Sequence, residues 1–215
     1  MNQIDVLYEN DEIYVINKPA GLAVQGGQGL SHSLDLDFSA QVGQKVFLVH
    51  RLDKDTSGLM IVAKNSQAAA KWTKLIASKA ARKEYVALCI GRMESKAGVI
   101  TETIIQHGEE KAAVTKYQVE KEVIVQSTDS EGASEAIPLT LIRLKLETGR
   151  MHQIRIHLAK NGCPIAGDDQ HGNFKMNKKL RKAAGIKRLQ LASVKLLIPL
   201  DGKEKVFEIP MPFEL

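Results

Sequence analysis

The amino-acid sequence predicts an α+β protein with a mixed, mostly antiparallel sheet. About eight or nine short segments have the apolar or alternating pattern of strands, and many follow one another without an intervening helix. Three segments predict helices, and we found neither an internal repeat nor a long linker. We therefore expect residues 1–215 to form a single domain.

The first half of the chain predicts three strands and a helix. The segment "EIYVINKPAGLAV" (12–24) is a strand that runs into a turn at Pro19 and Gly21, since neither residue readily continues a strand. The short apolar runs "KVFLV" (45–49) and "LMIVAK" (59–64) predict two buried strands joined by "HRLDKDTSG". Residues 66–81 predict a helix that begins at Asn65 or Ser66.

The second half of the chain is richer in strands. "KEYVALCIG" (83–91) and residues 98–122 have strand patterns, and the polar segment 127–136 predicts a loop. Residues 137–147 predict a long strand in which the apolar phase shifts by one residue after Leu141, and such a shift predicts a bulge or a bend in the strand. The dipeptide Asp201-Gly202 predicts a type I′ hairpin between the last two strands.

Residues 150–161 predict a helix that ends before Gly162 and Pro164. Its apolar side would be formed by Met151, Ile154 and Leu158, which recur at intervals of three and four residues.

Composition restricts the class of protein. The chain is 44% apolar, has no run of about 20 apolar residues that would span a bilayer, and begins without the pattern of a signal peptide. We therefore expect a cytoplasmic protein. Cys89 and Cys163 lie far apart, outside any metal-binding spacing, and we expect both to be buried apolar residues.

The basic residues are unevenly distributed. The net charge is only +5, but residues 175–188 contain seven lysines and arginines and no acidic residue. This pattern is typical of a surface that contacts phosphates, although a solvated lysine-rich helix would look the same.

Asp53 is the first candidate for a functional residue. It follows a buried strand closely, so its carboxylate should be partly desolvated and should need a cationic partner. Arg155, on the helix predicted over 150–161, can hold a carboxylate in a fixed fork. The alternative is that His152, Gln153, Arg155 and His157 are ordinary exposed residues of a surface helix. Metal binding by the two histidines is disfavoured because a spacing of five places them on different faces.

Lys83 and Tyr85 should point to the same face of their strand, and Glu84 to the other. A tyrosine there is suited to stacking on a base or moving a proton, and equally to packing in the core.

Several motifs together resemble the RluA-type RNA pseudouridine synthases. "HRLDKDTSGLMIVAK", "RKEYVALCIG", "AAVTKYQV" and "ETGRMHQIRIHLAKNGCPIAGDDQHG" occur in the order and spacing of that family, and "YVINKPAGLAV" is similar to its opening strand and turn. The resemblance covers about residues 12–200 and implies the pseudouridine synthase fold with a central catalytic cleft.

The resemblance also implies roles for particular residues. Asp53 corresponds to the catalytic aspartate, and Arg155 to the basic residue paired with it. Tyr85 corresponds to the tyrosine that packs on the flipped base, and Arg51 to the arginine that enters the stack when the uridine leaves it. The further residues that we expect to contact RNA are Lys83, His152, Lys178, Lys179 and Lys182.

The expected function is isomerisation of a uridine in structured rRNA or tRNA by a monomer that uses no cofactor and no metal. The chain begins close to the catalytic domain, so we expect no S4-like N-terminal RNA-binding domain and target selection by the domain's own surface. His171 and the pair Ala192-Ser193 depart from the family pattern. They motivate the alternative of an RNA-binding protein or RNA chaperone with a dormant site. A nucleoside hydrolase is a weaker alternative, because it would leave the basic segment without a purpose.

Overall fold

The computed structural model describes residues 3–27, 31–128, 132 and 134–213. Its strands are β1 Asp5–Glu9, β2 Ile13–Lys18, β3 Phe47–Leu48, β4 Ser57–Ala63, β5 Arg82–Ile90, β6 Ala97–Ile100, β7 Thr103–Gln106, β8 Glu109–Ala112, β9 Thr115–Thr128, β10 Ser134–Leu146, β11 Leu191–Leu200 and β12 Lys203–Glu208. Its helices are α1 Leu34–Val42, α2 Ser66–Ala77, α3 Gln153–Lys160 and α4 Phe174–Ala183.

The chain divides into two compact units. Unit 1 contains the described residues of Met1–Lys83 and Ala192–Pro212, and unit 2 contains those of Glu84–Leu191 and Phe213. The prediction of a single catalytic domain over residues 1–215 stays a prediction.

Unit 1 is a sheet with strand order β1-β2-β4-β11, to which β3 adds on β4 and β12 adds on β11. Its strand pairs are antiparallel except β4 and β11, which run parallel. One face of the sheet packs on α2, whose Trp72 is buried among aliphatic residues that include Val15, Ile61 and Leu196. The predicted hairpin is confirmed, since Leu200 pairs with Lys203 across a two-residue turn in which both φ angles are positive.

The helices of unit 1 differ from the prediction in extent and number. Asn65 caps α2 by accepting a hydrogen bond from the backbone N–H of Ala68 at 2.8 Å, as expected. The helix ends four residues earlier than predicted, shortly before Lys79 takes a left-handed φ of 61°. Helix α1 is not predicted from the sequence because Leu34, Leu36 and Phe38 recur at every second position, which is the spacing of a strand and not of a helix.

Unit 2 contains the antiparallel order β5-β10-β9-β6 and a separate hairpin of β7 and β8. An irregularity lies where the phase change predicts it, since the register between β9 and β10 shifts between Leu141 and Ile142, both of which are buried. The extra residue is Glu120 of β9, however, and not a residue of the predicted strand. Strands β9 and β10 extend into the two ends of the loop predicted over 127–136, so the loop is shorter than expected. Its residues 129–131 and 133 lie outside the described residues. Cys89 and Cys163 are free and buried, as predicted.

The start of the helix predicted over 150–161 is wrong. Helix α3 begins at Gln153 because His152 adopts a left-handed φ of 55°, which is incompatible with a preceding helical turn. Met151 therefore lies outside the helix and is 55% exposed, whereas Ile154 and Leu158 face the core as expected. Within the described residues, no helix is long and apolar enough to cross a membrane.

Candidate functional site

The segment that carries Asp53 is anchored in unit 1 by two buried residues. Leu52 and Thr56 are 5% and 2% exposed, and the Thr56 N–H donates to the Asp53 carbonyl at 3.1 Å. Arg51 is exposed, and Asp53 is half-buried between the two anchors. The backbone of the predicted catalytic aspartate is therefore fixed while its side chain keeps some access to solvent.

A buried lysine fastens this segment to the turn that follows β2. Lys18 is 0% exposed, and its Nζ donates to the carbonyls of Pro19, Leu22 and Lys54 at 2.9, 2.8 and 2.9 Å. The N–H of Gly21 donates to the same Lys54 carbonyl at 2.9 Å. One ammonium group thus ties together two connections that are 36 residues apart in the sequence.

The charge of Lys18 is costly to bury. Desolvation lowers the pKa of Lys18 from its usual 10.5 to about 8, and the nearby carboxylates of Asp55 and Asp53 oppose part of this shift. No motif in the sequence identifies Lys18. The signal was present, because a lysine ends the buried strand "IYVINK" at a position where alternation would favour an apolar residue.

His50 joins the same segment to β4. Its Nε2 accepts the N–H of Ile61 at 3.0 Å, so the proton of the neutral imidazole lies on Nδ1. The Nζ of Lys83 lies 3.3 Å from Nδ1. Burial and the Lys83 charge hold the pKa of His50 well below its usual value, and burial lowers the pKa of Lys83 to about 8. Nδ1 of His50 and the ammonium of Lys83 both carry protons, so their 3.3 Å approach is not a hydrogen bond, and the Lys83 charge disfavours a second proton on the ring. The contact of Lys83 with RNA stays a prediction.

The start of β4 makes an unusually close approach to β11. Gly58, with a φ of +111°, pairs with Ser193, and a Cβ added to Gly58 would lie 2.2 Å from the Ser193 carbonyl oxygen. Ser193 and its neighbour Ala192 depart from the family pattern, yet both are fully buried in this contact. Among the residues that the structure describes, the buried hydroxyls of Ser193 and Thr56 have no hydrogen-bond partner.

Tyr85 lies in unit 2, on the predicted strand β5. It is 5% exposed and pairs with Leu144 of β10. Its neighbour Glu84 contacts Lys145 at 2.9 Å and Arg143 at 3.4 Å. Burial of the ring is compatible both with stacking on a base and with core packing, and the role of Tyr85 stays a prediction.

Arg155 is buried, so the alternative of an exposed surface residue is wrong. Its Nε and Nη2 donate to the two carboxylate oxygens of Asp168 at 2.8 and 2.7 Å, and the two side chains are 6% and 1% exposed. Asp168 Oδ1 also accepts the N–H groups of Gln170 and His171 at 2.9 and 3.0 Å. Asp168, in "GDDQHG", is not among the site residues predicted from the sequence, and the pairing of Arg155 with Asp53 stays a prediction.

These contacts govern the ionisation of Asp168. Burial alone raises the pKa of the carboxyl group, but the Arg155 guanidinium and the N–H groups of His171 and Gln170 lower it further, and the net shift is downward. The lowered pKa favours the ionised form of Asp168, which holds the guanidinium of Arg155 in one orientation.

The two histidines beside this ion pair interact directly. His152 Nδ1 lies 3.0 Å from His171 Nε2, with the ring planes at 74°. A hydrogen bond at this distance requires one donor and one acceptor nitrogen, so one ring supplies the proton. The departure at His171 is thus accommodated by a specific contact with His152.

The other polar residues of α3 are structural. Gln153 donates to the Val114 carbonyl and the Thr115 hydroxyl at 3.0 and 2.9 Å, and His157 Nδ1 lies 3.0 Å from the same hydroxyl. Gln153 and His157 are buried. Within the described ranges of the chain, no group of three or more His, Cys, Asp or Glu residues is arranged to hold a metal ion.

Two of the three lysines chosen in the basic segment are exposed on α4. Lys178 and Lys182 project into solvent, whereas Lys179 is partly buried and forms an ion pair with Glu135 of β10. A compensated lysine attracts a phosphate less strongly, so Lys178 and Lys182 are the better candidates.

Comparison with known proteins identifies the family. Residues 12–160 match the family model described as RNA pseudouridylate synthase. The chain belongs to this family. The ribosomal large subunit pseudouridine synthase C of Salmonella typhimurium is 35% identical over 97% of this chain, and that of Rickettsia prowazekii is 34% identical over 97%. The chain covers 66% and 68% of these two relatives, so it spans about two thirds of their length.

Solved structures agree with the family. Human RNA Pseudouridylate Synthase Domain Containing 4 has a TM-score of 0.72 and 26% identity, with 96% of this chain and 88% of that chain covered. Human RNA Pseudouridylate Synthase Domain Containing 1 has a TM-score of 0.76 and 23% identity, with coverages of 99% and 85%. The family and the α+β fold predicted from the sequence are confirmed, and the enzymes for which the family is named are isomerases.

Proposed function

We propose that the protein is an RNA pseudouridine synthase that converts a specific uridine of structured ribosomal RNA into pseudouridine. Family membership supports the reaction, and the names of the two bacterial relatives support the ribosomal substrate. A uridine in tRNA is the other substrate that we expect from the sequence.

The observation that carries the proposal is the construction of the Asp53 segment. The reaction breaks the C1′–N1 bond of uridine, turns the freed uracil and joins C1′ to C5, while C5 loses a proton and N1 gains one. It needs no oxidant or reductant, but it needs a carboxylate held beside C1′ as nucleophile or as electrostatic stabiliser. Asp53 is half-buried, and the segment around it is tethered by Leu52, Thr56 and the buried ammonium of Lys18.

We assign the remaining roles from the family motifs. Tyr85 packs on the flipped uracil, Arg155 supports the ionised Asp53, and Arg51 occupies the space that the uridine leaves in the RNA. Extruding a base costs roughly a few kcal/mol, and a guanidinium in the vacated space offsets part of that cost. The buried pair of Arg155 and Asp168 supports this assignment, because it keeps the guanidinium charged and oriented.

The test is Asp53→Asn in a tritium-release assay on RNA labelled at C5 of uridine. We expect release to fall to background while RNA affinity and the melting temperature stay close to those of the wild type, because the substitution preserves shape. The matched control is Asp55→Asn, which removes the same charge from an exposed neighbour.

Normal tritium release by Asp53→Asn would overturn the assignment. A wild-type protein that binds RNA and releases no tritium would favour the RNA chaperone with a dormant site. Mapping pseudouridine in total RNA from a deletion strain against its parent separates a ribosomal target from a transfer-RNA target.

A further inference from the structure

We propose that the solvent face of α4 is a stacking site for single-stranded RNA. In this site the ring of Phe174 carries one base, and Lys178, Arg181 and Lys182 contact the adjoining phosphates. The inference rests on the proposed function, because it takes RNA as the ligand.

The inner side of α4 is fully used in packing and anchoring. Leu180 is buried and Met176 partly buried in a core with Val123 and Val125 of β9. Asn177 accepts the N–H of Gly167 at 2.9 Å and donates to the Asp168 carbonyl at 3.0 Å. Phe174 is therefore not needed to complete the hydrophobic contact of its helix.

The outer side combines one aromatic ring with cations. Phe174 is 66% exposed, although it is the first residue of a helix that buries other apolar side chains. Positions 174, 178, 181 and 182 fall on one side of a helix, because spacings of four, seven and eight residues return to nearly the same direction. The exposed cations of the helix are Lys175, Lys178, Arg181 and Lys182.

Charge and chemistry together select the ligand. Residues 170–191, which include α4, contain no acidic residue, and Glu135 of β10 is paired with Lys179, so the outer face of the helix attracts polyanions. An exposed ring among cations is what proteins use to bind single strands, where bases stack on the aromatic side chain and phosphates lie along the basic groove. A membrane surface fits poorly, because it requires an apolar side on the helix and the apolar side of α4 is buried against β9.

Helix α4 is connected by hydrogen bonds to the ion pair of Arg155 and Asp168. Asn177 bonds to the backbone of Asp168, and the carboxylate of Asp168 holds Arg155. An RNA strand seated on Phe174 would therefore be held in a fixed position relative to this ion pair. Loss of the ring should weaken capture of RNA and leave the turnover of bound RNA unchanged.

The experiment measures binding of a labelled single-stranded oligouridylate of about ten nucleotides, a length within the range of known single-strand sites, over a range of salt concentrations. We expect Phe174→Ala to weaken affinity by about 5- to 150-fold, the range expected for loss of one stacked base, with an unchanged salt slope. Lys178→Gln combined with Lys182→Gln should instead lower the slope, by about 0.7 for each phosphate that is no longer neutralised. Phe174→Leu keeps apolar bulk without a ring and should resemble the alanine variant.

The control is Ile105→Ala, which removes an equally exposed apolar residue from β7 and should bind RNA like the wild type. A second measurement uses Phe174→Trp. The native Trp72 is 1% exposed, so quenching of the new, exposed indole on addition of RNA would report direct stacking.

Wild-type affinity of Phe174→Ala, or a loss of affinity with a flatter salt slope, would overturn the stacking site. Displacement of the RNA by polyglutamate with an affinity that depends on Phe174 would also overturn it, in favour of an acidic protein partner. Tritium release separates the two proposals. Release by the wild type combined with wild-type RNA binding by Phe174→Ala refutes only the stacking site, whereas absence of release combined with weakened binding refutes only the enzyme.

Discussion

Removal of the buried ammonium of Lys18 should both destabilise the protein and impair catalysis. In Lys18→Met the carbonyls of Pro19 and Leu22 lose their donor, while the Lys54 carbonyl keeps the N–H of Gly21. A carbonyl that loses its donor costs about 1–3 kcal/mol where water does not replace the donor, and both of these hydrogen bonds are partly buried. Relief of the buried charge, which is reflected in the pKa of about 8, works in the opposite direction. We therefore expect a net loss of about 3 kcal/mol in the free energy of unfolding.

A loss of about 3 kcal/mol corresponds to a decrease of about 6–12 °C in melting temperature for a chain of this size. The Asp53 segment also loses a tether, and a displacement of about 1 Å at a reacting group lowers turnover by up to about 100-fold. Thermal melts and single-turnover tritium release measure the two effects. The control is Lys54→Met, which removes the same charge from an exposed side chain of the same segment. If Lys18→Met has the melting temperature and the turnover of the wild type, the hydrogen bonds of the Lys18 ammonium have no role in stability or catalysis.

Two further predictions concern other buried contacts. Asp168→Asn should lower the free energy of unfolding by about 3–5 kcal/mol, because it leaves the guanidinium of Arg155 buried without its counter-ion, whereas the exposed Asp169→Asn should melt like the wild type. Because the pKa of Asp168 is lowered in the folded state, its ionised form stabilises the protein above the unfolded value of 3.8, and this effect is lost as the pH falls through the folded pKa. Urea titrations at several acidic pH values should therefore show that the difference in unfolding free energy between wild type and Asp168→Asn shrinks in acid. Gly58→Ala should lower the free energy of unfolding by at least about 3 kcal/mol, because its Cβ would collide with the Ser193 carbonyl. The control Gly43→Ala is also at positive φ but has open space around it, and it should cost only about 1–2 kcal/mol. Equal melting temperatures for the two variants would contradict the close approach of Gly58 to Ser193.

Local signals in the sequence were sufficient for much of the fold. The apolar phase predicts the position of the irregularity at Leu141 and Ile142, although not that its extra residue lies on β9. The final hairpin follows from Asp201-Gly202, because a tight turn depends on neighbouring residues. The start of α3 could not be predicted this way. His152 is left-handed there and contacts His171, a residue 19 positions away, and a contact of that range is invisible to helical periodicity.

The candidate site shows the same limit in its charged residues. Motifs identified Asp53, Tyr85 and Arg155, but they did not show that the Asp168 carboxylate binds Arg155 or that Lys18 serves the Asp53 segment. Both omitted residues are charges at positions where the chain is buried, and a buried charge must find a compensating group. The sequence shows that such a charge exists, whereas the identity of its partner depends on how connections far apart in the chain approach each other. Buried charges in apolar contexts are therefore the positions at which a structure adds most to what motifs supply.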